Sequence, residues 1–324
     1  MAAIRQVPLV CGGHERPVVD LKFSGITETG SYMLSASKDG KPMLRKGETG
    51  DWIGTFEGHK GAVWGATINK DATLAATGAA DFSAKLWNAI NGTELTTYAH
   101  KHIVKAVDFS QDSQKLLTAC NDKKLRVFSI EKTDSDPLIM DGLTGNSKRC
   151  LWFKNDTVFN GGEDKIISQW DVRSGSMVQQ IQVDSKVTNM ELSQDILIVT
   201  YGKTTAFYDP ESLELIKQHE QNSLVYAASM HQTKKFYVTG GEDFCLHKID
   251  YETGNALESF KGHFGPVHCV EFSPDGELYA SGSEDGTLRL WQTVIGKTYG
   301  LWRSYEDDEK PSVVNGVEAV SEES

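Results

Sequence analysis

The sequence predicts an all-β fold, a closed ring of seven four-stranded blades followed by a short acidic tail. Three observations carry this. A tight-turn residue, six times aspartate and once glycine, recurs seven times along the chain. An aromatic or apolar residue follows it six positions later in every repeat but the first. A histidine stands 22 residues ahead of the turn aspartate in three repeats.

The turn residues are Asp39, Asp81, Asp122, Asp164, Gly202, Asp243 and Asp285, with steps of 42, 41, 42, 38, 41 and 42 residues. Their partners six positions on are Arg45, Trp87, Phe128, Trp170, Tyr208, Ile249 and Trp291. The histidines are His59, His100 and His263, and His14 lies 25 residues before Asp39, which predicts a longer hairpin in the first blade. Gly142 and Gln221 take the histidine's place in the fourth and sixth repeats. A period of ~40–45 residues with Gly-His and Trp-Asp marks is the signature of a WD40 β-propeller.

Within a unit such as Gly262–Gln292, three apolar runs alternate with the turn strings PDG and EDG. Asp-Gly between apolar runs signals a hairpin. The runs VHCVEF, LYASGS and TLRLW are nearly continuously apolar, as strands packed on both faces require. Ring closure needs one more strand. Ile4–Val10 precedes the first Gly-His as an outer strand would, and is predicted to pair beside Thr287–Gln292. The rival closing strand is Lys297–Trp302. The propeller is thus read over residues 1–304 and predicted to be monomeric.

The recurring polar residues invite a hydrolase reading, since Ser, His and Asp form catalytic triads. They are His14 and Asp39; His59, Thr77, Asp81 and Trp87; His100, Thr118 and Asp122; Asp164 and Trp170; Asp243; and His263, Ser281, Asp285 and Trp291. Recurrence at fixed spacing argues for a structural role, because an active site is single. Carboxylate, imidazole, hydroxyl and indole can satisfy one another in series, and a satisfied buried network rigidifies a fold. No catalytic residue, metal ligand or cofactor is therefore expected.

The composition agrees. The 324 residues are 39% apolar and 24% charged, which suits a globular chain with a sizeable core. No run of ~18 apolar residues or signal peptide is visible, so a cytoplasmic protein with a nuclear pool is expected. Cys11, Cys120, Cys150, Cys245 and Cys269 show no C-x-x-C pairing and read as reduced thiols in or near strands. His102, His219, His231, His247 and His268 lack metal-ligand spacing, and no P-loop string occurs. The net charge of −12 disfavours general nucleic-acid binding. Residues 305–324 hold seven carboxylates against Lys310 and read as a disordered acidic tail.

Loops carry function in such a scaffold. One mouth of the ring should collect Arg16, Lys60, Lys101, His102 and Phe264, which follow the histidines, and Lys38, Glu163, Glu242 and Glu284, which precede the turn aspartates. This predicts a mouth with a basic side in blades one to three and an acidic side in blades four, six and seven. Trp52 and Trp302 fall outside the repeat pattern and are candidate hot spots by residue type, with core packing the alternative.

Several strings go beyond the generic repeat: Asp39–Ala66, Ala99–Ser110, Gly240–Phe244 and Gly262–Trp302. They resemble the serine-threonine kinase receptor-associated protein family. The resemblance is strong at both ends and weak from Asp134 to Thr233. It implies a non-catalytic, mostly cytoplasmic adaptor. The partners it implies are the survival-of-motor-neuron complex with its Gemin members, which loads Sm proteins onto spliceosomal small nuclear RNAs; receptor kinases of the TGF-β type with inhibitory Smads; and a cold-shock-domain RNA-binding protein. The alternative resemblance is to the propeller subunit of the third translation initiation factor. That subunit shares a GHFGP-type last repeat but not the KTYGLW or KPMLR strings.

Overall fold

A computed structural model describes residues 6–154 and 156–296. The described residues form seven four-stranded antiparallel sheets. The first sheet runs from the channel outward as Val18–Phe23, Tyr32–Ser37, Met43–Lys46 and Trp52–Thr55. Five more repeat that order. The seventh has Val267–Phe272, Leu278–Ser283 and Leu288–Gln292, and its outer strand is Leu9–Cys11 from the N-terminus. Leu9 pairs opposite Leu290 and Cys11 opposite Leu288. An N-terminal strand therefore closes the ring as predicted, but at Leu9–Cys11, which shares only Leu9 and Val10 with the predicted Ile4–Val10; Ile4 and Arg5 lie outside the described residues. Gln6 extends the tie by donating its side-chain amide to the Gln292 carbonyl at 3.0 Å. Lys297–Trp302 and the acidic tail lie outside the described residues.

Irregular repeat lengths trace to one hairpin. The first and second strands are joined by Ser24–Ser31 in the first blade and by Asn69–Thr73 in the second. The three extra residues account for the displaced His14. In the fifth blade only Gln194 and Asp195 make that connection, which accounts for the step of 38.

The core lies between blades. Trp87, on the third strand of the second blade, packs against Leu34, Leu44 and Phe56 of the first. Trp170 and Trp291 bridge the third–fourth and sixth–seventh junctions in the same way. Arg45 holds this place in the first blade. It is 3% exposed, and donates its guanidinium to the carbonyls of Gly50 at 3.2 Å and of Gly12. A buried cation is tolerated there because carbonyls cap it.

One irregularity positions the functional site. In all seven blades the pairing of the first and second strands slips between the first and third residues of the inner strand. A β-bulge re-aims side chains locally. Here it turns the second residue of each inner strand into the channel mouth.

Candidate functional site

The polar networks form where the repeat placed them, with three exceptions. In the last blade His263 Nδ1 lies 3.1 Å from Asp285, His263 Nε2 2.7 Å from Ser281 Oγ, and the Trp291 indole N–H donates to Ser281 Oγ at 2.9 Å. In the second blade the corresponding distances for His59, Asp81, Thr77 and Trp87 are 2.8, 2.7 and 2.9 Å. His14 bonds Asp39 and Ser35, both at 2.8 Å. Burial pulls the His263 imidazole down to about 4, so it is neutral and donates through Nδ1. Burial alone would raise Asp285, but the Phe264 N–H and the Thr287 hydroxyl and N–H hold it at about 2. Ser281 and Thr77 are fully buried. Each hydroxyl already accepts an indole N–H and faces an imidazole, so no substrate can reach it.

The first exception is His100. Its Nε2 bonds Thr118 at 2.9 Å, but its Nδ1 turns to the Tyr98 carbonyl at 3.0 Å instead of Asp122. Asp122 is taken by Arg126, whose two terminal nitrogens lie 3.1 and 2.5 Å from its two oxygens. A bidentate guanidinium outcompetes a neutral imidazole for a carboxylate. The second is Asp243, whose partner is His247 Nε2 at 2.8 Å from the strand after the turn. Gln221 there stands in for the histidine, accepting from Thr239 at 3.0 Å. The third is Asp164 of the fourth blade, which accepts the Thr144 hydroxyl at 2.6 Å, while Trp170 donates to Ser168 at 2.9 Å.

The channel itself is plugged at its waist, where only about 50 Å³ is open. Buried charges fill it. Arg149 meets Asp20 at 2.5 Å and Lys22 meets Glu271 at 2.5 Å. The carboxylates also staple neighbouring blades. Asp20 accepts the Ala66 N–H at 3.1 Å, Asp108 the Trp152 N–H at 2.7 Å, Glu191 the Met230 N–H at 3.1 Å and Glu271 the Phe23 N–H at 3.1 Å. Desolvation, with Glu271 nearby, pushes Glu191 up to about 7.

At the turn-aspartate end the channel opens into a cup of about 330 Å³. Its wall is the ring of re-aimed residues, one per blade: Val19, Trp64, Lys105, Lys148, Thr188, Tyr226 and His268. Lys38, Arg149, Glu163 and Lys186 add further charge to the lining. Lys105 Nζ sits 3.1 Å from the Trp64 ring centroid. Tyr226 and His268 stack at 5.8 Å, and Glu284 accepts from His268 at 2.6 Å.

Comparison with known proteins decides what this ring belongs to. A WD40 repeat model (WD domain, G-beta repeat) matches residues 50–88, 92–129 and 254–292. The chain is 57% identical to the serine-threonine kinase receptor-associated protein of Gallus gallus, over 95% of this chain and 89% of that one. It is 58% identical to the Homo sapiens protein of that name, over 93% of this chain and 87% of that one. The chain belongs to the serine-threonine kinase receptor-associated protein family. Similarity to subunit I of the eukaryotic translation initiation factor 3 of Schizosaccharomyces pombe is lower, at 30% identity over 87% of this chain and 95% of that one.

In this receptor-associated protein relative, the docking residues read from the repeat are only partly brought together. Lys38 and Glu163 line the cup. Arg16, Lys60, Lys101, His102, Glu242 and Phe264 are exposed on the surrounding loops. The expected division into a basic and an acidic side does not hold. Lys38 pairs with Glu284 at 3.4 Å, because the first and seventh blades are neighbours in a ring. Glu163 faces a wall made basic by Lys105, Lys148 and Lys186, which the repeat reading missed. Aligning the second residue of every inner strand would have found Lys105 and Lys148, while Lys186 stands just ahead of the fifth inner strand. Trp52 is 61% exposed on an outer strand, so core packing is excluded for it, and Trp302 lies outside the described residues.

Proposed function

We propose that this chain is a non-catalytic adaptor that brings partner proteins together, and that its principal work is in loading Sm proteins onto spliceosomal small nuclear RNAs within a survival-of-motor-neuron complex. A second role beside TGF-β-type receptor kinases, with inhibitory Smads and a cold-shock-domain protein, follows from the same kinship. The site of action is the cytoplasm with a nuclear pool. Membership of the receptor-associated protein family carries this reading. The burial of the hydroxyls that accept the indoles, Thr77, Ser168 and Ser281, supports the non-catalytic part.

Affinity capture of the tagged full chain from its own cells, followed by mass spectrometry, tests it. Enrichment of Sm-assembly proteins is the expected result. Enrichment of translation initiation factors in their place would overturn it in favour of the initiation-factor subunit.

A further inference from the structure

Four lysines, Lys38, Lys105, Lys148 and Lys186, share one cup with Trp64. Other cations along the channel are paired, Lys22 with Glu271 and Arg149, which also lines the cup, with Asp20. Of the four lysines only Lys38 has a carboxylate in ion-pair range, Glu284 at 3.4 Å; among the described residues Lys105, Lys148 and Lys186 have none. Lys105 and Lys148 are half-buried. A desolvated ammonium without a counter-ion is costly. Burial accordingly pulls Lys105 down to about 8 and lowers Lys148. The face of Trp64 offsets this only in part.

The loops on the same end of the ring carry aromatics that the core does not use. Phe82 and Phe244 follow turn aspartates with φ of 65° each, where the first and last blades place Gly40 and Gly286. Lys123 and Lys165 take the same left-handed turn position in the third and fourth blades, so the turn sets the conformation and the residue type sets what is displayed. Both rings stay exposed, at 45% and 43%, and Phe264 is 86% exposed.

We propose that this end of the channel seats a short acidic segment of a partner protein, its Asp or Glu carboxylates on Lys105, Lys148 and Lys186 and its flanking apolar side chains against the phenylalanines. The proposal rests on the adaptor reading and names the chemistry of its docking site. A nucleic-acid strand fits less well. A continuous run of phosphates crossing the rim would meet Glu163, Glu242 and Glu284, whereas a peptide presents its charges one side chain at a time. The occupant is assigned to a partner because the chain leaves the last blade from Gln292 and Thr293, at the opposite end. There Thr293 donates to the Gly276 carbonyl at 2.7 Å, in the far hairpin.

Fluorescence anisotropy of labelled hexaglutamate with the full chain tests this, with hexaglutamine and hexauridylate as parallel probes. The expected result is salt-sensitive binding of hexaglutamate in preference to both, about tenfold weaker in Lys105→Gln/Lys148→Gln, as loss of two charge-assisted contacts implies. Lys148→Arg should restore binding. Lys186→Glu, an exposed change that leaves folding intact, should weaken it on its own. Equal binding of hexaglutamine, unchanged affinity in these variants, or tighter binding of hexauridylate lost in the same variants would each overturn the proposal. Neutralising Glu306, Asp307, Asp308 and Glu309 in the full chain should leave affinity unchanged. A many-fold gain would make the chain's own tail the occupant and sink the partner assignment. If hexaglutamate binds as expected while affinity capture returns no Sm-assembly protein, the adaptor reading fails and the site stands. The converse result removes the site alone.

Discussion

Glu271 of the last blade holds Lys22 of the first by an ion pair of 2.5 Å, and accepts the adjacent Phe23 backbone N–H at 3.1 Å. The junction where the ring shuts is thus fixed on the channel side by one carboxylate.

Removing that carboxylate leaves the Lys22 ammonium, 37% exposed at its side chain, without its partner. Breaking a fully buried pair from one side costs about 3–5 kcal/mol, and solvent at the Lys22 end reduces this to about 1–3 kcal/mol. Glu271→Gln should lower the unfolding free energy in urea by that margin, and adding Lys22→Met should recover most of the loss. A double variant no more stable than the single one would show that the Phe23 staple, and not the ion pair, holds the junction.

The histidine networks should differ in strength. His263→Ala leaves Ser281 and Asp285 short of a partner and should cost about 1–3 kcal/mol in chemical denaturation. His100→Ala should cost less, since Asp122 keeps both its bonds to Arg126. Equal losses would contradict the pairing described for the third blade.

Stability should fall in mild acid. His263 and His100 are each held by burial at about 4, below the ordinary 6.5. Between those values the unfolded chain takes up protons that the folded imidazoles refuse, so stability present above pH 6.5 is lost as pH falls toward 4. Glu191 works in the other direction. Its carboxyl is raised to about 7, so its contribution is full below the ordinary 4.5 and lost as pH rises through 7. Glu191→Gln should therefore melt higher than wild type at alkaline pH and lose that advantage in acid, as calorimetry at both extremes would reveal.

Deleting residues 1–10 removes most of the strand paired with Leu288–Leu290, and bares an edge of the last blade. A large loss of cooperative unfolding is expected. Near-native melting would mean that the rival segment, Lys297–Trp302, can close the ring instead.

Much of this was legible in the chain because the repeat is punctuated by residues with few substitutes. A turn aspartate must cap its own hairpin, as Asp285 does for Thr287, and Trp87 or Trp291 must reach the preceding blade. What stayed hidden depends on more than one repeat at a time. VWGATI reads as a buried run, yet its bulge turns Trp64 into the cup. Lys105 and Lys148 gain meaning only beside their neighbours from other blades. His100 keeps the expected spacing but loses Asp122 to a competitor four residues beyond it, which spacing alone does not rank.

Sharing the seventh sheet between the first and last strands of the propeller also sets an order of events during synthesis. Leu9–Cys11 emerges from the ribosome ahead of the other strands, and its pairing partner Leu288–Leu290 behind them. The early strand has no template until the last blade is made, and each completed blade waits with one apolar flank uncovered. A message truncated ahead of the final repeat would yield a broken circle with two sticky rims, a product for chaperones and proteases to remove instead of a smaller working protein.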